Sequence, residues 1–279
     1  MNQMKTIIKK AGILYMALSF GLTSCETFDF GQEMGQKVIC IISDDDLVFT
    51  GMHDLNEPES TGYISVNCGG SLHIDRDVEV VMEYSPEVLA QYNKSKYDID
   101  EEKYAKELDS RYYTIPEMRV TLKASSADTY DTMPIRVRPE GLSPDSIYFI
   151  PLRIRSVSAY SVNPDKSQVL YRVYMKNLYA RSDEASIYNA TGTTQKDGEN
   201  EVEAAASQTF HPLTKNTFRI FAGIKGYETD ADVIRKNGII VQVNEDYSLT
   251  MRPYDEDSIE VAPVDASRPD YYGEYSLSE

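Results

Sequence analysis

Short runs of alternating apolar and polar residues, bounded by Gly, Pro, Asn or Asp, recur along most of this chain. This pattern predicts half-buried β-strands separated by turns, because successive side chains of a strand point to opposite faces. The strands predicted in the first part of the chain are Val38–Ile42, Gly62–Asn67, Val78–Tyr84, Arg119–Lys123, Met133–Arg138, Tyr148–Ser158 and Gln168–Lys176. Their spacing favours an antiparallel sandwich over alternating strand and helix units.

The same pattern continues in the second part of the chain. The strands predicted there are Ser186–Thr193, Ala206–His211, Thr217–Ile224, Gly238–Val243, Ser248–Pro253 and Ser258–Val264. Residues Asn244–Tyr247 lie between two of them and predict a tight hairpin. Regularly spaced strands of this kind predict a C-terminal antiparallel β-barrel-like or sandwich domain.

Two short segments interrupt the strand pattern of the first part. Residues Ser85–Tyr92 start with a Ser in the N-cap position and Pro86 in the first turn, which is typical of a helix start. Residues Asp100–Asp109 are acidic at their start, as the helix dipole favours, and predict a second short helix. The sequence therefore predicts an all-β chain with a short helical insertion.

The N-terminus has the features of an export signal. Lys5, Lys9 and Lys10 precede an apolar run over residues 11–21, which is shorter than the roughly 18 residues that span a bilayer. Residues 1–24 are therefore predicted to be a signal peptide. The following Leu-Thr-Ser-Cys resembles the lipobox of bacterial lipoproteins, so Cys25 is predicted to be the lipidated first residue of the mature protein, with residues 25–36 as lipidated Cys and tether.

Acidic residues follow Cys25 closely, at Glu26, Asp29 and Glu33. This stretch resembles the signal that sends lipoproteins of the Bacteroides lineage to the outside of the outer membrane. The expectation is an outer-membrane, lipid-anchored and surface-exposed protein, with periplasmic retention as the alternative. Contact with the membrane is expected through the N-terminal lipid only.

The charge of the chain restricts its partners. With 28 Lys+Arg against 45 Asp+Glu, the formal net charge is −17. Such a chain repels the phosphate backbone, so no nucleic-acid partner is expected, and a neutral or weakly charged polysaccharide is favoured over an acidic polymer.

Residues that carry catalytic or metal chemistry are sparse. The three histidines have no metal-ligand spacing, and no cofactor or metal is predicted. The acidic runs Asp44–Asp46, Asp98–Glu102 and Asp255–Asp257 lack the spacing of a calcium loop and are interpreted as solvated, although calcium binding is left open. In an oxidising compartment Cys40 and Cys68 would either form a disulfide or stay free, and the residues do not decide between the two.

Several segments of the first part, in their order and spacing, resemble a Bacteroides-type lipoprotein family. These segments are Val88–Asn93, Tyr112–Pro116, Tyr148–Ile154, Ser156–Ser158 and Leu170–Tyr174. The resemblance implies an N-terminal immunoglobulin-like domain of unknown function and a C-terminal domain of the lipocalin or avidin kind. It also implies a gene beside a SusC/SusD-type glycan importer. The chain stops after residue 279 where relatives continue through another strand, which leaves the completeness of the barrel open.

Tyrosine is abundant, with 21 Tyr and no Trp. A Tyr ring packs on the C–H face of a sugar while its hydroxyl and nearby Asp, Asn or Arg groups bind the sugar hydroxyls. Four of the strand tyrosines are interpreted as covering a core, namely Tyr84, Tyr148, Tyr171 and Tyr174. The predicted glycan-binding residues lie outside this set and are Tyr227, Arg252, Tyr254, Asp255, Arg268, Tyr271 and Tyr272.

Together these features predict four segments: the signal peptide over 1–24, the tether over 25–36, an immunoglobulin-like sandwich over 37–180 and a β-barrel-like domain over 181–279. The predicted function is capture of polysaccharide or oligosaccharide for a SusC/SusD-type importer, without catalysis. The alternative is a structural or adhesive surface lipoprotein that has no sugar site.

Overall fold

The computed structural model describes residues 35–184, 186–194, 198–200, 202–226, 228–263 and 275–278. The signal peptide and Cys25 lie outside the described residues, as do the predicted site residues Tyr227, Arg268, Tyr271 and Tyr272. The described residues of 37–69 and 74–279 form one compact unit. In the described part of the chain, no helix is both long and apolar enough to cross a bilayer.

The first β domain contains eleven of the described strands. They are β1 (Val38–Ile41), β2 (Val48–Asp54), β3 (Ser60–Gly69), β4 (Val78–Tyr84), β5 (Lys106–Glu107), β6 (Tyr113–Thr114), β7 (Arg119–Leu122), β8 (Tyr130–Val137), β9 (Tyr148–Val157), β10 (Ser161–Val162) and β11 (Gln168–Lys176). Helix α1 (Pro86–Tyr97) follows β4, and short 3-10 turns occupy Glu101–Lys103, Ser110–Tyr112 and Pro164–Lys166.

The second β domain follows β11. Its strands are β12 (Ser186–Thr194), β13 (Val202–Thr214), β14 (Thr217–Phe221), β15 (Gly238–Val243), β16 (Leu249–Pro253), β17 (Glu260–Pro263) and β18 (Tyr275–Ser278). Helix α2 (Ala231–Asn237) lies between β14 and β15. Both domains are therefore β-structured, which confirms the predicted all-β fold class.

Two sheets pack face to face in the first domain. One has the order β10-β1-β3-β8-β6, and the other has the order β2-β11-β9-β4-β7 with β5 paired to β9. Apolar residues of both sheets form one continuous core, as expected for a sandwich. Three pairings are parallel, β1 with β10, β2 with β11 and β5 with β9, so the sandwich is mixed rather than purely antiparallel.

A buried polar pair holds β2 against β11 inside this core. His53 and Tyr171 are both fully buried, and the His53 Nε2 lies 2.9 Å from the Tyr171 hydroxyl oxygen. The other ring nitrogen, Nδ1, lies 3.2 Å from the carbonyl oxygen of Ser60. Because a carbonyl only accepts, Nδ1 carries the proton and Nε2 accepts from the tyrosine hydroxyl. Burial lowers the pKa of His53 to about 4, opposed by the hydrogen bond to Ser60, and keeps the ring neutral.

The Tyr171 hydroxyl occupies space that two glycines leave open. A Cβ placed on Gly51 or Gly62 would meet this hydroxyl oxygen directly. The absence of a side chain at these two positions, one on β2 and one on β3 of the facing sheet, therefore leaves room for the Tyr171 hydroxyl that binds His53. Glycine weakens a strand, and a close approach of this kind is a recognised reason for its presence.

The first prediction concerns this contact. Gly62→Ala is expected to lower the free energy of unfolding by about 2 kcal/mol, because the added methyl group must displace the Tyr171 ring from a close-packed core. Urea denaturation followed by circular dichroism measures the change. Gly69→Ala in the same strand is the control, since its Cβ would meet only the Val38 carbonyl at 3.7 Å. An equal effect of the two substitutions would contradict the prediction.

The described C-terminal strands form a five-stranded antiparallel sheet of order β12-β13-β14-β15-β16, and β17 pairs with β18. The predicted hairpin is confirmed: the Asn244 amide donates to the Ser248 carbonyl at 2.9 Å. Tyr247 closes the turn with a φ of 66°. On one face of the sheet the rings of Tyr188, Phe210 and Phe218 stack in sequence, with centroids 3.9 and 4.1 Å apart.

The local predictions and the structure differ at several points. The helix predicted from Ser85 exists and extends to Tyr97. The helix predicted over Asp100–Asp109 is wrong, since these residues form a 3-10 turn at Glu101–Lys103 and then strand β5. Strand β2 and helix α2 were not predicted. The signal for α2 was Asp230, whose carboxylate accepts from the amides of Asp232 and Val233 at the helix start.

Cys40 and Cys68 are not joined by a disulfide in the described structure. In the register of β1 and β3, Cys40 pairs with Asn67 and Ile39 pairs with Cys68. Because neighbouring residues of a strand point to opposite faces, Cys68 faces the core while Cys40 lies on the outer face of the same sheet. The two sulfur atoms are thus on opposite sides of the sheet, which explains why no disulfide forms.

Candidate ligand-binding site

Helix α1 covers part of the outer face of the second sheet. Val88 and Leu89 of the helix pack on Phe149 and Leu170 of strands β9 and β11. Asn93 fixes the helix to the next segment, because its amide group exchanges two hydrogen bonds of 2.9 Å with the backbone of Ala105. Further along β11 the outer face is free of this helix, and there the structure forms a cavity.

The cavity, here called the β11 cavity, has a volume of about 220 Å³. Strand β11, the loop before β9 and residues of the second β domain supply its walls. The lining residues are Pro144, Asp145, Ser146, Ile147, Arg172, Val173, Tyr174, Met175, Ser182 and Thr229. The volume is below the range of about 300–1,000 Å³ usual for larger organic ligands, so the space suits a single sugar-sized ring.

Arg172 and Tyr174 dominate the chemistry of this cavity. Both lie on the outer face of β11, and the Arg172 guanidinium lies 4.3 Å from the centroid of the Tyr174 ring. Burial raises the pKa of the Tyr174 hydroxyl, while the positive charge of Arg172 opposes the shift and Asp183 adds to it. The hydroxyl therefore stays protonated at neutral pH and can donate a hydrogen bond.

A buried ion pair forms the wall behind Arg172. The guanidinium of Arg219, on β14, binds both carboxylate oxygens of Asp145, with Nη1 to Oδ2 at 2.5 Å and Nη2 to Oδ1 at 2.7 Å. The Arg219 side chain is 0% exposed and that of Asp145 is 13% exposed. Since Asp145 belongs to the first β domain and Arg219 to the second, this bidentate pair joins the two domains.

The surroundings of Arg219 are largely aromatic. Its guanidinium lies 5.5 Å from the ring centroid of Phe221 and 5.8 Å from that of Tyr254. His211 pairs with Arg219 across β13 and β14. Burial and the Arg219 charge lower the pKa of His211 to about 4, which Asp145 opposes. The histidine is therefore neutral at neutral pH and adds no second positive charge to the buried site.

The second prediction follows from the burial of this pair. Asp145→Asn is expected to cost about 3 kcal/mol of unfolding free energy, because it leaves the Arg219 charge buried without its counter-ion. Thermal and urea unfolding measure the loss. Glu79→Gln, which breaks a pair with Arg119 whose side chains are 44% and 46% exposed, is the matched control and is expected to cost less than about 1 kcal/mol. Equal costs would show that burial does not set the strength of the Asp145 pair.

A second cavity, here called the helix cavity, lies on the outer face of β11 beside α1 and has a volume of about 230 Å³. Tyr92 and Lys96 of the helix line it, together with Asp46 and Leu170. The Lys96 ammonium binds the Asp46 carboxylate at 2.9 Å. Leu170 lies on β11 two residues before Arg172, so the two cavities follow one another along the same strand face, with about 13 Å of strand between Leu170 and Tyr174.

The structure places three of the predicted glycan-binding residues near one another in the second domain. Arg252 is exposed on β16 and pairs with Ile240 in the register of the sheet. Tyr254 is 42% exposed and packs over Arg219. Asp255 shapes the following turn, accepting from the Asp257 amide at 3.1 Å, and lies 3.9 Å from Arg235. None of these three side chains lines either of the two cavities described above.

Among the tyrosines assigned to a core, Tyr171 is confirmed as fully buried. Tyr174 is different, because it faces outward and lines the β11 cavity. Arg172 and Tyr174 were therefore missed as site residues. The available signal was their alternation with Tyr171 and Val173 in the sequence, which places an Arg and a Tyr on one strand face.

The fold and the cavity define a two-domain β protein with a small polar and aromatic cavity beside its interdomain ion pair. Family models match both parts of the chain, an N-terminal domain model over residues 36–161 and a C-terminal model over residues 167–278. The chain thus carries, in order, the two domains that these models describe. The first model ends at residue 161 and the second begins at residue 167, just before β11. In the structure, however, β11 belongs to the first sandwich and extends it to Lys176.

Solved structures from Bacteroides share this fold. A protein of unknown function from Bacteroides ovatus has 19% identity and a TM-score of 0.63, with 84% of this chain and 81% of that chain covered. A multidomain protein including DUF1735 from the same organism has 19% identity and a TM-score of 0.60, with the same coverage. An auxiliary nutrient binding protein from Bacteroides thetaiotaomicron has 15% identity and a TM-score of 0.56, covering 78% and 73%. The comparison with curated proteins gave no match.

Proposed function

We propose that this protein is a lipid-anchored, surface-exposed outer-membrane protein that captures glycan for a SusC/SusD-type importer without hydrolysing it. The observation that carries the proposal is the pairing of Arg172 with Tyr174 inside the β11 cavity. A planar cation and an aromatic ring at 4.3 Å offer, on one strand face, the two contacts that a sugar ring uses.

The remaining walls of the β11 cavity fit the same ligand. Ser182 and Thr229 add hydroxyl groups that both donate and accept. The Tyr174 hydroxyl is held in its protonated form, so it can donate to a ring or hydroxyl oxygen of the sugar. A sugar presents hydroxyls around its edge and C–H groups on its faces, and the cavity offers partners for both.

The fold comparison supports the class of function. The Bacteroides thetaiotaomicron protein described as an auxiliary nutrient binding protein shares the fold over most of its length. A shared fold alone does not assign a ligand, so the argument depends on the residues of the cavity. The competing function is a structural or adhesive surface protein, for which the cavity would have no ligand.

The helix cavity extends the proposed surface. Tyr92 lines it, and its pKa is raised mainly by burial and lowered in part by the charges of Lys96 and Arg172. Arg172 is therefore close enough for its charge to lower the pKa of a tyrosine in each cavity. A glycan chain that lies along the outer face of β11 would contact both cavities in turn, and binding along the surface would be strengthened by multivalency.

The third prediction tests glycan binding at the β11 cavity. Affinity electrophoresis and calorimetry of the purified protein against a panel of polysaccharides are expected to identify a ligand that binds with micromolar to millimolar affinity. Tyr174→Ala is expected to weaken that binding about tenfold, equivalent to about 1.4 kcal/mol, because the stacking ring is lost. Product analysis of the same mixtures is expected to show no released reducing sugar.

Two variants separate the possible outcomes. Tyr63→Ala removes a ring that is 51% exposed on β3, away from β11 in the sheet order, and is expected to leave binding unchanged. A double Tyr271→Ala, Tyr272→Ala variant tests the predicted C-terminal loop residues. Loss of binding in the double variant alone would move the site to those loops. If the wild type binds no glycan, the structural or adhesive function is favoured. If sugar is released, the protein is a catalyst.

The fourth prediction tests the proposed location. Cys25→Ala is expected to abolish labelling with a fatty-acid analogue and to release the protein from the membrane fraction, because the acyl chains on Cys25 supply the anchor. Cys40→Ala serves as the control, since that thiol lies on the outer face of the β1–β3 sheet. Protease treatment of whole cells distinguishes surface exposure from periplasmic retention. Unchanged labelling and membrane association of the Cys25 variant would contradict lipidation.

A further inference from the structure

The charges at the β11 cavity differ in sign from the charge of the whole chain. The formal net charge is −17, yet two positively charged side chains lie at this cavity. Arg172 lines it, and Lys106 reaches it by donating from Nζ to the hydroxyl of Ser146 at 3.1 Å. In the part of the chain that the structure describes, neither side chain forms an ion pair with a carboxylate.

Two acidic groups at the cavity are each bound by an arginine. Both carboxylate oxygens of Asp145 are bound by the Arg219 guanidinium. Asp183, whose charge acts on Tyr174, is bound by the Arg181 guanidinium at 2.9 and 2.6 Å. Among the lining residues, this leaves an aromatic ring, several hydroxyls and the Arg172 cation to face a ligand, with Lys106 at the edge of the cavity.

We infer that the β11 cavity binds an acidic sugar residue, with the Arg172 guanidinium on its anionic group and the Tyr174 ring on its C–H face. This inference rests on the proposed glycan-binding function and names the substrate class. The anionic group is a carboxylate, as in a uronic acid, or a sulfate ester, since both present paired oxygens to the planar fork of arginine.

The negative charge of the chain does not prevent this. At physiological ionic strength the screening length is about 8 Å, so acidic groups elsewhere on the surface act weakly on a bound ligand. Arg172 lines the cavity in a half-buried position, where screening is weaker, and the exposed Lys106 adds its charge at the cavity edge. The net charge of the chain favours a neutral polysaccharide, but the charges at this cavity favour an acidic sugar, and the local charges are closer to the ligand.

The test compares matched glycans by calorimetry. The probes are oligogalacturonate, the same oligomer after reduction of its carboxyl groups, sulfated dextran and plain dextran. An acidic probe is expected to bind at least about tenfold more tightly than its neutral counterpart, because a hydrogen bond to a charged group exceeds one to a neutral group. Preference for oligogalacturonate assigns a carboxylate, and preference for sulfated dextran assigns a sulfate ester.

The variants locate the effect. Arg172→Gln is expected to abolish the preference for the acidic probe, Arg172→Lys to retain part of it, and Lys106→Gln to reduce it. Arg155→Gln, an exposed arginine on β9 of the same sheet, is the matched control and is expected to have no effect. Circular dichroism verifies the fold of each variant. If Arg172→Gln does not fold, the Lys106→Gln variant and the salt dependence of the wild type carry the test, since salt weakens only charge-dependent binding.

The outcomes separate this inference from the proposed function. Equal binding of acidic and neutral glycans overturns the inference and leaves glycan binding intact. A preference for the acidic probe that persists in Arg172→Gln also overturns it, because the anion would then bind elsewhere. If none of these probes and no glycan of the wider panel binds, the proposed function fails, and the inference fails with it.

Discussion

The buried ion pair between Asp145 and Arg219 is the interaction on which the arrangement of the two β domains and the cavity depends. It is bidentate, its guanidinium has no solvent exposure, and its partners are 74 residues apart in the chain. Charges taken out of water are tolerated only when they are paired in good geometry. The pair therefore favours one relative placement of β14 and the loop before β9, and that placement sets the wall beside Arg172.

The neighbours of Arg219 make this dependence stronger. His211 is neutral beside it, and two aromatic rings pack over its guanidinium. In such surroundings the effective dielectric constant is low, so both the attraction within the pair and the cost of separating it are larger than on the surface. Tyr254, predicted as a sugar-binding residue, is one of these two rings, so at least one of its contacts is with the buried ion pair.

Local sequence signals predicted the parts of the fold that depend on neighbouring residues. The hairpin at Asn244–Tyr247 depends on its turn residues and the start of α1 on Pro86 in the first helical turn; these signals are local in the chain, and both elements are present. Strand β2 was missed because Gly51 and His53 break its apolar pattern. Both residues have their explanation in Tyr171, more than a hundred residues later, which no local pattern can show.

The candidate site was harder to predict for a related reason. Sequence alternation assigns faces reliably when one face of a sheet is buried and the other is wet. In β11 both faces are covered at the start of the strand, where Val169 and Leu170 are each fully buried, and only later does the outer face open at Arg172. The sequence places Arg172 and Tyr174 on one strand face, but the point at which the covering helix ends is a tertiary property.

Strand β11 has a further consequence for how proteins with this fold diversify. Tyr171 points into the core, while Arg172 and Tyr174 point outward into the cavity. Under the proposed function, adjacent positions of one strand are thus subject to different constraints, one set by packing in the core and the other by the bound ligand. Substitutions at the outward positions would then change what this cavity binds with little loss of stability, because the core positions stay the same.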